Sequence, residues 1–238
     1  MIEEKILFKQ KLGDFLAKLL RAALGRVITD LELIRAIDVS IKSVNLINNE
    51  FMNAKVVNSR EEALKLALNS TKLEGFIGEF GVYKGESLNQ IARYFNKYNV
   101  HGFDTFTGLP EFWREGFPEG AFDVSKEKLS FEKNCVLHKG LFDNTLPIFL
   151  NQNPSIAKFI HIDCDLYSST VSVLTHLSDR IKPGTIILFD EYFNYPGWEN
   201  HEYKAFKEFL SIKKMRCEYL AYNKFGQQVV VEIQDDNS

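Results

Sequence analysis

From Gly75 onward the chain alternates short apolar runs with longer helical patterns, and only a few architectures accommodate that rhythm. "GFIGEF" is followed by "ESLNQIARYFNKY" and "VHGFD"; after a loop come "CVLHK", "DNTLPIFL", "KFIHID", "YSSTVSVLTHLSDRI", "TIILFD" and "HEYKAFKEFLSI". Such alternation reads as βα units, a parallel sheet with helices on both faces. Four strands end at, or just before, an acidic residue: Glu79, Asp104, Asp163 and Asp190. Ligands of such sheets bind at the carboxyl ends of the strands, so these acids stand where a site is expected.

The chain's end breaks the pattern. "RCEYLAYN" and "QQVVVEI" flank a short turn containing Gly226, which predicts a hairpin and so an antiparallel pair in a mixed α/β sheet. The start differs as well. Up to Thr71 the pattern is helical. In "ILFKQKLGDFLAKLLRAALGRVI", Phe8, Leu12, Phe15, Leu16, Leu19, Leu20, Ala23 and Val27 fall three or four apart, opposite Lys5, Lys9, Lys11, Lys18, Arg21 and Arg26. Packing on the core or on a second subunit, as a homodimer, is the plainer reading of that stripe; touching an anionic membrane surface is the other. A second helix is expected over "LELIRAIDVSIKSVNLINNEF". A third, "SREEALKLALNST", carries a cap signal in Ser59 with Glu62 three residues on. The division expected is 1–58 as a helical extension, serving as lid or oligomerisation element, and 59–238 as the main domain.

Composition narrows the function classes. Hydrophobic residues make up 45% and charged residues 26% of 238, the profile of a globular protein with a sizeable core. A net charge of −3 gives no reason to expect nucleic acid as a partner. No apolar stretch reaches the length of a membrane span, so stable membrane insertion is not expected. Cys135, Cys164 and Cys217 are odd in number and lack metal-type spacing, and "MIEEKILFKQ" lacks the apolar core of a signal peptide; both point to the cytoplasm.

Three stretches carry chemistry. "GEFGVYKGES" follows a strand and opens a helix. Gly81 and Gly85 permit tight turning, and the helix start offers free N–H groups to an anionic group. The G-x-G-x-x-G fingerprint is absent, which counts against NAD and a nicotinamide oxidoreductase. Asp104, in "HGFDTFTGLP", ends the next strand, where an acid can accept hydrogen bonds from ribose hydroxyls. In "FIHIDCDLYSST" and "IILFDEYF", Asp163, Asp165, Asp190 and Glu191 gather at two strand ends. If those strands are neighbours, the carboxylates raise one another's pKa values, and a divalent cation with oxygen ligands would relieve them. Helix capping by Asp165 is the bland alternative. The segment from Thr107 to Lys128 is long and irregular, a lid or binding loop in which Trp113, Phe117 and Phe122 either stack on a ligand or pack on their own domain. A serine hydrolase is not expected, because "GESLN" lacks the second glycine of a nucleophile elbow.

Together, "EFGVYKGESLNQIA", "GFDTFTGLPEFW", "GAFDVS", "HKGLFDNTLP", "HIDCDLYSSTVSVL" and "PGTIILFDEYF" resemble the macrocin O-methyltransferase family. These are class I methyltransferases that use S-adenosylmethionine (SAM), mostly on sugar hydroxyls of natural products. The resemblance runs from about residue 59 to the C-terminus. It implies a Rossmann-like, mostly parallel seven-stranded sheet with a reversed final strand. It also implies SAM contacts from Glu79, Gly81, Gly85, Ser87, Asp104, Gly140, Phe142 and Asp163, with Gly140 and Phe142 bordering the adenine. Asp163, Asp190 and Glu191 match the family's metal-ligand positions, for Mg²⁺, and Asp165 its general base. Glu191 stands where the family usually carries aspartate, and "NYPGWENHEYKAF" departs from the better-known macrolide and aminocoumarin enzymes.

The activity implied is metal-assisted methyl transfer to a hydroxyl of a small-molecule or saccharide acceptor, in a natural product or a polysaccharide. His201 is the alternative base, for a reaction without metal. A nonenzymatic SAM-fold assembly protein is the rival class. His161 shares strand parity with Asp163, although a histidine there is more often a satisfied core residue.

Overall fold

The structure is a computed structural model, and it describes residues 14–25 and 29–235. Its contacts divide the chain into two compact units, Met1–Asn45 and Leu46–Ser238. In the first, residues 14–25 form helix α1, and Phe15, Leu16, Leu19 and Leu20 on it are each more than half exposed. Lys5, Phe8, Lys9, Lys11, Leu12, Arg26 and Val27 of the expected amphipathic stripe lie outside the described residues. Helix α2 (Leu31–Glu50) follows the second expected helix closely, and Asp30 Oδ1 accepts the Leu33 N–H at its start. No helix among the described residues is long and apolar enough to cross a membrane.

The second unit is a three-layer α/β structure. Its strands are β1 (Lys55–Val57), β2 (Phe76–Phe80), β3 (Val100–Asp104), β4 (Cys135–Lys139), β5 (Ala157–Ile162), β6 (Ile186–Phe189), β7 (Arg216–Asn223) and β8 (Val229–Gln234). Their order across the sheet is β1-β7-β8-β6-β5-β2-β3-β4. Strand β8 runs antiparallel to both β6 and β7, and the remaining pairs are parallel. The C-terminal hairpin is thus present as the turn signal at Gly226 indicates. One short strand joins the expected seven: β1 pairs with β7, Lys55 opposite Ala221 and Val57 opposite Asn223.

Strand alternation divides the core. Ile77, Phe159, Ile186, Leu188 and Val230 face one side, with Ala63, Leu64, Ala67 and Leu68 of α3 (Arg60–Ser70) and Leu88 and Ile91 of α4 (Glu86–Tyr94). Phe80, Phe103, Ile160, Ile162 and Phe189 face the other. There they meet α5 (Phe142–Gln152), α6 (Tyr167–His176) and α7 (Glu202–Lys213) through Phe149, Val173 and Phe206. Ser59 caps α3 as expected, its hydroxyl accepting the Glu62 N–H at 3.1 Å, while Glu62 reaches back to the Asn58 N–H at 2.8 Å. The chain leaves β2 toward β3 and β4 on one side, and continues from β5 to β6 on the other. The crevice between β2 and β5 is the topological switch point, where open sheets of this kind bind ligands.

Candidate active site

A cavity of about 370 Å³ opens at that switch point, lined from the loops after β2, β3, β5 and β6 and from the start of α5. Gly81, Asp104, Gly140, Phe142, Asp163, Asp165, Asp190 and Glu191 all line it. Glu79, Gly85, Ser87 and His201 do not.

The glycine loop is shaped by contacts inside the protein. Gly81 has φ +93°, and a Cβ there would fall 1.7 Å from the Asp163 carbonyl oxygen, so no side chain fits where β2 and β5 end together. Gly85 (φ +80°) is the N-cap of α4, against the ring of Phe131. Asp104 braces the turn between them: Oδ2 accepts the N–H groups of Val82 (2.6 Å) and Tyr83 (2.8 Å), and Oδ1 accepts that of Phe106 (2.6 Å). A carboxylate has about four acceptor directions, so little of Asp104 is left for a ligand. Ser87 is buried in the first turn of α4. Glu79 is closed to solvent beneath the loop, with Oε1 2.7 Å from Nδ1 of the equally buried His161. Burial alone would lower the His161 pKa, but the carboxylates of Asp190 and Glu79 on its two sides raise it to about 10, leaving an imidazolium. Phe142 meets Phe80 edge-on at 5.8 Å, beside Gly140 and Leu141.

At the other end the four carboxylates converge. Oxygens of Asp163, Asp190 and Glu191 lie within 4.8 Å of one another. Asp165 is not a helix cap: Leu166 is the N-cap residue of α6, and it makes no side-chain cap bond. Asp165 instead has a left-handed backbone (φ +63°) and is nearly closed to solvent. A non-glycine residue held there marks a position where surrounding structure imposes the geometry. Burial raises the Asp165 carboxyl to about 7, against the lowering field of Arg114. Burial, followed by the charges of Asp190 and Asp165, pushes Glu191 upward. Asp190 goes the other way. His161 and Arg60 outweigh its burial and hold it down to about 2.

Arg60 is the residue that the sequence reading passed over. It is the first residue of α3, and its Nε donates to Asp190 Oδ1 at 2.6 Å while Nη2 donates to Asp163 Oδ2. The guanidinium therefore bridges the ends of β5 and β6. Three carboxylates are the right chemistry for Mg²⁺, but two of them already hold Arg60, so the cluster as arranged does not fit a divalent cation. A signal was present in the sequence. Positive charge is disfavoured at a helix start, so an arginine there invites a search for an anionic partner.

The irregular segment 107–128 is built on itself and covers the cavity. Leu109 N–H donates to the Ala121 carbonyl, Gly120 N–H to that of Leu109, and Trp113 N–H to that of Phe117. Trp113, Phe117 and Phe122 all line the cavity, and the rings of Phe117 and Phe122 stack at 5.4 Å. The two expectations for these rings, lining a ligand space and packing within the domain, are thus compatible. Arg114 lies 3.9 Å over the Trp113 ring and 4.6 Å from that of Tyr195. His201 packs beside Trp113 and Tyr195, outside the lining, and burial lowers its pKa. Trp113 Nε1, Arg114 Nε and Glu191 Oε2, all on cavity-lining residues, are buried without a hydrogen-bond partner.

Residues 79–192 match a family model described as a methyltransferase domain. Among solved structures, the calicheamicin methyltransferase CalS11 aligns with a TM-score of 0.56 at 22% identity, covering 86% of this chain and 93% of its own. The O-methyltransferase NovP aligns at 0.55 and 20% identity, covering 72% of this chain and 78% of its own. MycE from the mycinamycin biosynthetic pathway, in complex with Mg and SAH, aligns at 0.50 and 13% identity, over 75% of this chain and 50% of its own. No curated protein sequence gives a significant match. At these identities the likeness is one of fold: the chain has the Rossmann-like methyltransferase architecture.

Proposed function

We propose that the protein is a SAM-dependent O-methyltransferase that acts on a hydroxyl of a sugar, in a natural product or a polysaccharide. The observation that carries this reading is one cavity at the switch point, with the Gly81 loop, Asp104 and Phe142 at one end and Asp165 at the other. The first end suits a nucleoside with an adjoining amino acid. Asp104 holds the loop N–H groups in place with three of its roughly four acceptor directions, which leaves about one for a ribose hydroxyl. Gly140, Leu141 and Phe142 offer an apolar slot for adenine. Glu79 and His161 act from beneath, fixing β2 against β5. The acidic lining also favours a cofactor with a sulfonium charge.

Methyl transfer from a sulfonium is an in-line displacement, so the protein's task is alignment and exclusion of water. Segment 107–128 serves both. A sugar hydroxyl is a weak nucleophile until its proton starts to leave, and Asp165 takes that proton. A carboxyl raised to about 7 is matched to this work near neutral pH, whereas His201 lies outside the cavity. The unpartnered polar atoms of Trp113, Arg114 and Glu191 favour an acceptor rich in hydroxyls, since buried polar groups call for partners. The likeness to CalS11, a TDP-rhamnose 3'-O-methyltransferase, also supports a sugar.

Calorimetry with SAM and with NAD, followed by labelled methyl transfer to sugars bearing vicinal hydroxyls, tests the reading. Saturable SAM binding and transfer to oxygen are expected. SAM binding with no transfer to any hydroxyl acceptor would point instead to an assembly protein.

A further inference from the structure

We propose that the Arg60 guanidinium is the resident cation of the Asp163–Asp190–Glu191 cluster and keeps divalent metal ions off it. The inference rests on the reading of this cluster as the acceptor end of the site, but its chemistry can be measured separately.

Three features support it. First, Arg60 uses two different edges for two different carboxylates, Nε to Asp190 and Nη2 to Asp163. A metal ion placed between β5 and β6 would need those same oxygens. Second, the bridging oxygen of Asp190 is also 3.5 Å from His161 Nε2, and its other oxygen faces the side-chain amide of Gln228 at 3.3 Å. Both oxygens of Asp190 are thus already engaged. Third, Arg60 is anchored at its backbone by a capped helix packed on the sheet. The guanidinium is thus delivered by a rigid element and not by a mobile loop.

Arg60 lines the cavity, and Nη1 makes no hydrogen bond to another described residue. A guanidinium carries five N–H donors in a fixed fork. The unused donors can hold an acceptor oxygen next to the hydroxyl being methylated. Arg60 is in this sense a positioning residue, and lysine, a single point of charge, does not reproduce the bridge.

The test is titration of the full chain with Mn²⁺, followed by the electron paramagnetic resonance signal of the free ion. The native chain is expected to show no saturable binding, and Arg60→Gln to bind one Mn²⁺ about tenfold or more tightly than native. Saturable one-to-one binding by the native chain, lost in Asp163→Asn, overturns the proposal. So does an Arg60→Gln chain that is folded by circular dichroism yet binds no better than native. If that variant does not fold, the native titration still decides, and Arg60→Lys, which keeps a charge, supplies the comparison. SAH calorimetry run alongside reports on the cofactor reading; its failure leaves the Mn²⁺ result standing, and the reverse also holds.

Discussion

Nδ1 of His161 lies 2.7 Å from Oε1 of Glu79, and both side chains are closed to solvent between β5 and β2. The pair joins the two strands that flank the switch point, directly under the loop that Gly81 turns. Because the folded His161 pKa of about 10 lies above its ordinary 6.5, its contribution is complete below about 6.5 and is lost as pH rises through about 10. The native chain should therefore melt progressively lower from pH 7 to pH 10. Glu79→Gln should lose about 3 kcal/mol at pH 7, the cost of stranding a buried charge. It should also flatten that pH dependence, and thermal melts across the range measure both. A native melting temperature that holds constant from pH 7 to pH 10 would remove the imidazolium from the account.

Asp165 runs in the same pH direction for the opposite reason, because there the charged form is the one the fold disfavours. Its folded value of about 7 lies above the ordinary 3.8, so ionisation in the folded state costs stability that is retained below about 4 and lost by about pH 7. Asp165→Asn keeps the shape without the charge. At pH 8 it should be more stable than native by roughly 1–3 kcal/mol, and near pH 4 the advantage should disappear. Turnover should meanwhile fall by about 10²–10⁴-fold with SAM affinity unchanged. The native rate should rise with pH through about 7. A variant that is both more stable and fully active would take Asp165 out of the chemistry.

The sequence carries the fold where local patterns repeat, and loses it where a contact spans the chain. Helix α2, the Ser59 cap and the hairpin at Gly226 each rest on residues within a few positions of one another. β1 does not: Lys55 to Val57 is too short to show an alternation, and it becomes a strand only because β7 offers an open edge. The site divides the same way. Asp163, Asp165, Asp190 and Glu191 could be brought together from sequence because β5 and β6 are consecutive strands. Arg60 could not, since its partners lie 103 and 130 positions away and no spacing rule reaches that far. His161 is buried and bonded to Glu79 through Nδ1, while its Nε2 lacks a hydrogen-bond partner; that pairing is not legible in sequence, because strand ends look alike there whether they face a cavity or a neighbour.

Asp104 is expected to act on the loop before it acts on a ligand. It accepts three backbone N–H groups, those of Val82, Tyr83 and Phe106, and two of these residues, Tyr83 and Phe106, have left-handed backbones (φ +50° and +59°). Asp104→Ala leaves those donors unpaired, at about 1–3 kcal/mol. SAH affinity should drop with it, by about tenfold or more. Asp104→Asn keeps one acceptor oxygen but sets its NH2 against at least one loop N–H, so it too should lower the melting temperature. If the residue served the ribose alone, Asp104→Ala would weaken SAH binding and leave the melting temperature in place.

Trp113 fixes the covering segment through Arg114. The guanidinium sits between the rings of Trp113 and Tyr195, 3.9 Å and 4.6 Å away, while Trp113 itself is buried and lines the cavity. Removing the ring takes away both the apolar anchor of segment 107–128 and one face of the arginine's cage, worth about 0.5–2 kcal/mol for the cation–π contact alone. The loss should fall on the acceptor end, because the slot proposed for adenine is lined by Gly140 to Phe142 on another element. Trp113→Ala should therefore raise KM for the acceptor by about tenfold and leave the SAH dissociation constant within about twofold. It should also open 107–128 to proteolysis. Trp113→Phe keeps an aromatic face and should recover most of the acceptor affinity. Equal losses of SAH and acceptor affinity in Trp113→Ala would mean instead that the segment supports the whole cavity and does not gate one end of it.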